Sequence, residues 1–349
     1  MRTLVMARQA GSAAALAPVI QAMRARNDTV FCYAAAATAR AGFERVGITP
    51  DVELLLEPSV DWLAAWLEQR GIGSVLTGTS FEAGLDGRFW SAACMVGVPA
   101  VALLDHWCNY AERFSDRAPL DCLPDALAVM DDAAASALRA VGFPPERIHI
   151  TGHPHLGEIT PVTLGERTVA RRALGVRDDR RIVTFASEPV APGAHRDLGY
   201  TAAEALEVIR RAITSVVPGA LLVVRPHPRE RQLAAPSGEP ETIVTRTGTP
   251  REAIAASDVM TGMGSILLLE AALAGIPTLS VRPNGGPDEY LDAHAGLIVS
   301  ITDASTLLRT LRHALDTLPS HPEIVARPSG EASREVIRLL DNLQRRPAA

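Results

Sequence analysis

Short apolar runs alternate with helical patterns along the whole chain. In the first half the runs are Thr3–Met6, Thr29–Tyr33, Ser74–Leu76, Ala100–Leu104, Ala126–Met130 and Ile148–Thr151. In the second they are Arg181–Phe185, Ala220–Val224, Thr242–Val244, Val259–Thr261, Thr278–Val281 and Leu297–Ile301. The first series is separated by Ala/Leu-rich stretches such as Ala13–Arg26, Val60–Arg70 and Asp132–Val141. Ala202–Val216, Pro250–Ala256, Ser265–Ala274 and Ser305–Leu318 separate the second. Such alternation predicts an α/β architecture with parallel sheets. A stretch without strong periodicity, Leu156–Thr168, marks a seam, and a last helical pattern, Glu331–Leu343, follows Pro328-Ser329-Gly330. The expected organisation is therefore a domain at 1–158, a second at 165–328 and a terminal helix within 329–349.

In a doubly wound sheet, ligands sit beyond the carboxyl ends of the strands, so the residues just after each run are the candidates for chemistry. After Val259–Thr261 comes Gly262-Met263-Gly264-Ser265, where Ser265 opens an apolar helix. Free N–H groups and the positive end of the helix dipole suit a diphosphate there. Gly262 and Gly264 would admit close backbone approach, and Glu270 is placed to accept from ribose hydroxyls. Ser265 as a plain N-cap is the structural alternative. After Ala220–Val224 comes Arg225-Pro226-His227-Pro228, a rigid exit presenting Arg225 and His227 to an anion. Thr77-Gly78-Thr79-Ser80 is another glycine turn, rich in hydroxyls. Ala100–Leu104 runs into Asp105-His106-Trp107-Cys108-Asn109-Tyr110, where either Asp105 or His106 could serve as general base. Trp107 and Tyr110 would stack on a sugar or pack in the core. Arg113 would pair with Asp116 or with substrate. Gly152-His153-Pro154-His155 reads as an inter-domain hinge, with no third ligand near the two histidines for a metal. Ser187-Glu188 and Asn284–Glu289 follow two further strands as cleft walls.

Composition narrows the chemistry. The 349 residues carry 34 basic side chains against 40 acidic ones, a net charge of −6, and every basic one is Arg. Without lysine there is no Schiff base and no P-loop lysine. Any phosphate must be met by guanidinium forks, backbone N–H groups or hydroxyls. Four cysteines lack CxxC spacing, which argues against a zinc site or disulfide framework. No basic stripe suggests a nucleic-acid partner. The N-terminal apolar run is too short for a signal peptide, and no window reaches about 18 apolar residues. A cytoplasmic protein without a transmembrane segment is expected.

Together these segments resemble the GT-B glycosyltransferases and the related UDP-N-acetylglucosamine 2-epimerases over most of the chain. The resemblance is carried by Arg225–His227, Gly152-His153-Pro154 and the Ser257–Pro277 block. It implies two Rossmann-like domains facing each other across a cleft, with the terminal helix crossing back to the first. It also implies a nucleotide-sugar site on the second domain at Gly262, Gly264 and Ser265, with Glu270 on the ribose. Arg225, His227, Ser187 and Glu188 would complete that site. The base, Asp105 or His106, and an acceptor region of Thr77, Gly78, Thr79, Ser80, Trp107, Tyr110 and His153 would come from the first. The implied activity is transfer of a sugar from a UDP- or CDP-linked donor to a glycan, lipid-linked or small-molecule acceptor, in surface glycan or glycoconjugate biosynthesis. The donor is a substrate, and neither a metal nor another cofactor is implied. The alternatives are an epimerase-like enzyme, hydrolysing or non-hydrolysing, and a non-catalytic nucleotide-sugar-binding module. The epimerases carry an acidic residue where Thr77–Ser80 stands, and Glu-Ala-Gly-Leu-Arg where Asp105–Asn109 stands. Both departures weigh toward the transferase.

Overall fold

The computed structural model describes residues 2–53, 58–81, 83–177, 179–189, 199–227, 230, 237–283, 285–286, 288–316 and 329–345. Pro228, Asn284, Pro287, Thr317, Leu318 and Pro328 of the segments above lie outside the described residues. The chain divides into two compact units, Met1–Glu158 with Val325–Ala349, and Ile159–Ile324.

In chain order the first unit contains β1 (Arg2–Ala7), α1 (Ala10–Ala25), β2 (Thr29–Ala34), α2 (Ala37–Arg45), β3 (Val52–Glu53), α3 (Val60–Arg70) and β4 (Ser74–Thr77). It continues with α4 (Gly84–Met95), β5 (Ala100–Leu103), β6 (Ala126–Val129), α5 (Asp132–Ala140) and β7 (Ile148–Ile150). The second unit holds α6 (Leu164–Ala173), β8 (Ile182–Ala186), α7 (Ala202–Val216), β9 (Leu221–Arg225), β10 (Thr242–Val244), α8 (Pro250–Ala256) and β11 (Val259–Gly262). It ends with α9 (Ile266–Leu273), β12 (Thr278–Val281), α10 (Glu289–Ala293), β13 (Val299–Ile301) and α11 (Ala304–Asp316), and α12 (Ser329–Gln344) returns to the first unit.

The two sheets share one plan. The first is ordered β3-β2-β1-β4-β5-β6-β7 and the second β10-β9-β8-β11-β12-β13. Every pairing is parallel. Each chain path winds outward from its first strand and then crosses to the other side of it, as Rossmann-like domains do. That reversal puts a topological switch point between β1 and β4 in one unit and between β8 and β11 in the other. The central strands β4, β5, β6, β8 and β11 are buried along their whole length. Burial on both faces is why they read as unbroken apolar runs.

Local signals set the helix ends. Ser59 and Asp131 cap α3 and α5 through their side-chain oxygens, and Thr201/Glu204 and Thr249/Glu252 form capping boxes on α7 and α8. Val336, Ile337, Leu339 and Leu340 of α12 join Leu16, Val19 and Ile20 of α1 in one core, and Arg26 forks onto Asp341 at 2.8 and 3.1 Å.

The seam stretch is not irregular throughout. From Leu164 it is the helix α6, begun by a Thr163/Glu166 capping box. Its pattern is inverted: Leu164 and Val169 are exposed, while Arg171 is 1% exposed. Arg171 is buried because Asp258 receives Arg167 at 2.5 Å, Arg171 at 3.3 Å and Arg181 at 3.2 Å, with the Ile182 N–H at 2.7 Å. One carboxylate thus ties α6 to the starts of β8 and β11. The geometry needs planar guanidinium forks.

Candidate functional site

In the first unit the switch point gathers the ends of β1, β4 and β5. Gly78 is fixed by contact: a Cβ there would lie 2.2 Å from the Ser12 Cβ, so the turn after β4 rests directly on the first turn of α1. Thr77 Oγ1 accepts from the Trp90 indole at 2.9 Å. Asp105 and Arg113 form a buried pair at 2.9 Å, with side chains 9% and 6% exposed. The same Arg113 nitrogen donates to Thr79 Oγ1 at 2.8 Å, and the Thr79 hydroxyl lies 3.4 Å from Asp105 Oδ1. Arg113 therefore pairs with Asp105, whereas Asp116 lies 3.9 Å from Arg117. With Oδ1 held by Arg113 and Thr79, Oδ2 faces Gly11, where a Cβ would stand 3.4 Å away.

Two further groups pack beside the Asp105 backbone. The Leu156 N–H donates to His153 Nδ1 at 3.3 Å, which leaves the proton on Nε2, 3.4 Å from the Asp105 carbonyl. Burial, and then the neighbouring His155, push His153 down to about 3, so its ring is neutral at ordinary pH. Trp107 stacks on His153 at 14° between planes and donates to Asp131 at 2.8 Å. Trp107 and Tyr110 are both buried. His106 lies edge-on to Trp107. The sequence reading missed Asp86 on α4. Its Oδ2 accepts the Ser80 N–H at 2.8 Å, and burial pushes it up to about 7 against the opposing effects of Ser80 and Arg8. The only sequence signal for it is an Asp in the first turn of a helix that follows a glycine turn.

In the second unit the equivalent turn follows β11. Gly262 is required by the sheet: a Cβ would meet the Ala186 carbonyl at 2.9 Å and Leu268 at 3.1 Å. Gly264 is different, with Glu188 Oε2 at 3.8 Å as the nearest neighbour of such a Cβ. Its N–H donates to Glu188 Oε1 at 2.6 Å. Ser265 caps α9 by accepting the Leu267 N–H at 3.3 Å, and Tyr290 donates its hydroxyl to the Ser265 carbonyl. Burial and the charges of Glu188, Glu270 and Asp288 hold the Tyr290 hydroxyl protonated.

The ends of β8 and β9 are tied by Glu230, which accepts from Ser187 Oγ at 2.8 Å and from the His227 N–H at 2.6 Å. Arg225 is engaged beside β10. Its guanidinium donates to the carbonyls of Thr247 at 3.1 Å and Gly248 at 2.9 Å, because the chain leaving β10 offers unpaired carbonyls beside it. The second unit thus brings together Ser187, Glu188, Gly264 and Ser265 near Glu270 and Tyr290, with Arg225 turned toward β10. A cavity of about 540 Å³ between Val176, Arg181 and Gly219 lies at the amino ends of β8 and β9, the opposite edge of the sheet.

Among the described residues no group of three or more His, Cys, Asp or Glu is placed to hold a metal. No described helix is long and apolar enough to cross a membrane.

No family model matches the chain, and no curated protein matches it in sequence. Solved structures do match its fold. The UDP-GlcNAc 2-epimerase of Methanocaldococcus jannaschii aligns with 98% of this chain and 100% of its own at 12% identity, with a TM-score of 0.70. The Neisseria meningitidis UDP-GlcNAc 2-epimerase, solved bound to UDP-GlcNAc, gives the same coverage, identity and TM-score. MurG of Acinetobacter baumannii aligns with 98% of this chain and 99% of its own at 11% identity, with a TM-score of 0.58. The chain has the GT-B fold that these sugar-nucleotide enzymes share.

Proposed function

We propose that the chain is an enzyme acting on a nucleotide sugar, of the UDP-N-acetylglucosamine 2-epimerase kind. The observation that carries the nucleotide half is the Gly264 N–H at the start of α9, an amide already engaged by an anionic oxygen at 2.6 Å. The fold comparison supports the epimerase reading more than the transferase, with TM-scores of 0.67–0.72 for UDP-GlcNAc 2-epimerases against 0.58 for MurG and 0.66 for a glycosyltransferase of Rickettsia africae. This reverses the weighting given by the departures at Thr77–Ser80 and Asp105–Asn109. The diphosphate is assigned to the glycine turn of the second unit and the sugar chemistry to the strand ends of the first.

In the chemistry proposed, a base removes the proton from C2 of the sugar, and that electron pair forms the C1–C2 double bond as the C1–O bond breaks. The nucleoside diphosphate leaves with the C1–O pair. Return of the diphosphate oxygen to C1 with delivery of a proton to the other face of C2 gives the epimer, and addition of water at C1 in place of the diphosphate gives free sugar and nucleotide. Asp105 suits the base because Arg113 and Thr79 fix one oxygen and leave Oδ2 directed away from them. His106 is its rival for this role. Transfer to an acceptor hydroxyl is the second reading, supported by the MurG likeness, since the same carboxylate could deprotonate a hydroxyl.

Incubation with UDP-GlcNAc, followed by proton NMR of the anomeric region, tests the reading. A 2-epimeric product formed without acceptor supports it. UDP release that appears only on adding an acceptor would sink it in favour of transfer.

A further inference from the structure

In the second unit, the amide that a phosphate would use is already occupied by the chain itself. Ala186 pairs with Gly262 across the β8–β11 ladder, and Glu188 follows two residues after Ala186. That register carries the Glu188 carboxylate over the next turn, where Oε1 takes the Gly264 N–H at 2.6 Å and Oε2 lies 3.8 Å from where a Gly264 Cβ would stand. A contact this short between an amide and a carboxylate is a charge-assisted hydrogen bond. Glu188, Glu270 and Asp288 all act on Tyr290 with the same sign. The Arg225 and Arg246 guanidinium groups donate to backbone carbonyls, those of Thr247 and Gly248 and those of His227 and Glu230.

Resting on the reading of the glycine turn as the diphosphate site, we infer that Glu188 is an internal competitor for that site. Its carboxylate holds the phosphate position in the empty protein and must leave before a nucleoside diphosphate can bind. Two like-charged groups cannot share one N–H, so the apparent affinity equals the intrinsic affinity reduced by the fraction of molecules in which Glu188 has swung away. A carboxylate on the turn therefore acts as a threshold, keeping the site closed to weakly held anions and admitting only ligands with further contacts on the nucleoside and sugar.

Calorimetric titration of UDP, and separately of inorganic pyrophosphate, into the wild type, Glu188→Gln and Glu188→Ala tests this. Far-UV circular dichroism would establish that each variant is folded. Both variants are expected to bind UDP about tenfold more tightly than the wild type, the scale of one charged hydrogen bond. Pyrophosphate, which has no nucleoside contacts, should show at least as large a gain. Unchanged or weaker UDP binding in both variants, with the wild type still binding UDP, would overturn the competitor role and leave the glycine-turn reading standing. Absence of UDP binding in all three folded proteins would overturn both.

Discussion

Gly78 and the Gly262–Gly264 pair stand at equivalent switch points of two sheets with the same strand order, yet they use the missing side chain for opposite ends. In the first unit the glycine lets one element close on another, because the turn after β4 sits on Ser12 with no room for a methyl group. The polar groups around it are then neutralised in place, Asp105 by Arg113 and the Ser80 amide by Asp86. In the second unit the packing role falls to Gly262 alone, and Gly264 is left facing a carboxylate with space around it. A glycine turn after a parallel strand thus marks a switch point in both units. Whether it marks an open anion seat depends on what the neighbouring helix or strand end puts against it.

The largest test of that contrast is Gly78→Ala. Two β-carbons cannot rotate apart, so relief requires moving α1 or β4, at a cost above about 3 kcal/mol. All four tryptophans lie in the first unit (Trp62, Trp66, Trp90 and Trp107), so urea unfolding followed by their fluorescence reads that unit alone. A near-wild-type midpoint would break the comparison. Arg113→Met should cost about 3 kcal/mol in the same assay, because Asp105 is left buried without its partner. Adding Asp105→Leu should restore most of the loss, whereas a double variant as unstable as the single one would locate the cost elsewhere. Within the second unit, Gly262→Ala is expected to destabilise by about 1–3 kcal/mol through its clash with the Ala186 carbonyl. Gly264→Ala should stay within about 0.5 kcal/mol of wild type. Thermal unfolding monitored by circular dichroism separates them, and equal losses would erase the distinction between the two glycines.

The smallest net effect in the wild type comes from a pair of opposed pH dependences in the first unit. Folded Asp86 keeps its proton up to about 7, while the unfolded group loses it near its ordinary value of 3.8. Its contribution is therefore fully present below about pH 4 and is lost as pH rises toward 7. His153 stays neutral when folded down to about 3, while the unfolded ring gains a proton below about 6.5. Its contribution is present above that value and is lost as pH falls. Each amounts to about 1.4 kcal/mol per pH unit inside its window, with opposite sign, so the two nearly cancel between pH 4 and 6.5. Relative to wild type, Asp86→Asn should make stability rise with pH across that interval and His153→Gln should make it fall. Parallel curves for all three proteins would show that neither group titrates as its burial requires.

The strands were legible because burial on both faces leaves unbroken apolar runs, and most of the helices because Ala/Leu-rich periodic stretches separate those runs. What escaped did so for physical reasons. β3 is a two-residue edge strand, too short for a pattern. In α4, Gly87 interrupts the apolar stripe, and the structure shows why it is glycine: a Cβ would meet Cys122 at 2.9 Å. In α6 the stripe is inverted, its arginine inward on Asp258 and its leucine outward. Of the candidate site, the residues set by the β-ladder were readable from position, as with Asp105 after β5 and Gly264 after β11. The partners were not. Arg113 reaches Asp105 through a loop, Asp86 reaches Ser80 from a helix the pattern did not show, and Arg225 found carbonyls that no periodicity reveals.

The return of α12 to the first unit has a consequence for the order in which the protein can be completed during synthesis. By the time Ile301 has been made, every strand of the second sheet exists, and its helices follow by Asp316. The first sheet is finished much earlier, at Ile150, but the apolar face of α1 stays uncovered until Ser329–Gln344 leaves the ribosome. The unit that begins the chain is thus the last to close. A nascent chain halted before α12 would leave the α12-facing side of α1 uncovered beside a fully formed second unit, making it a client for chaperones rather than a half-sized native protein.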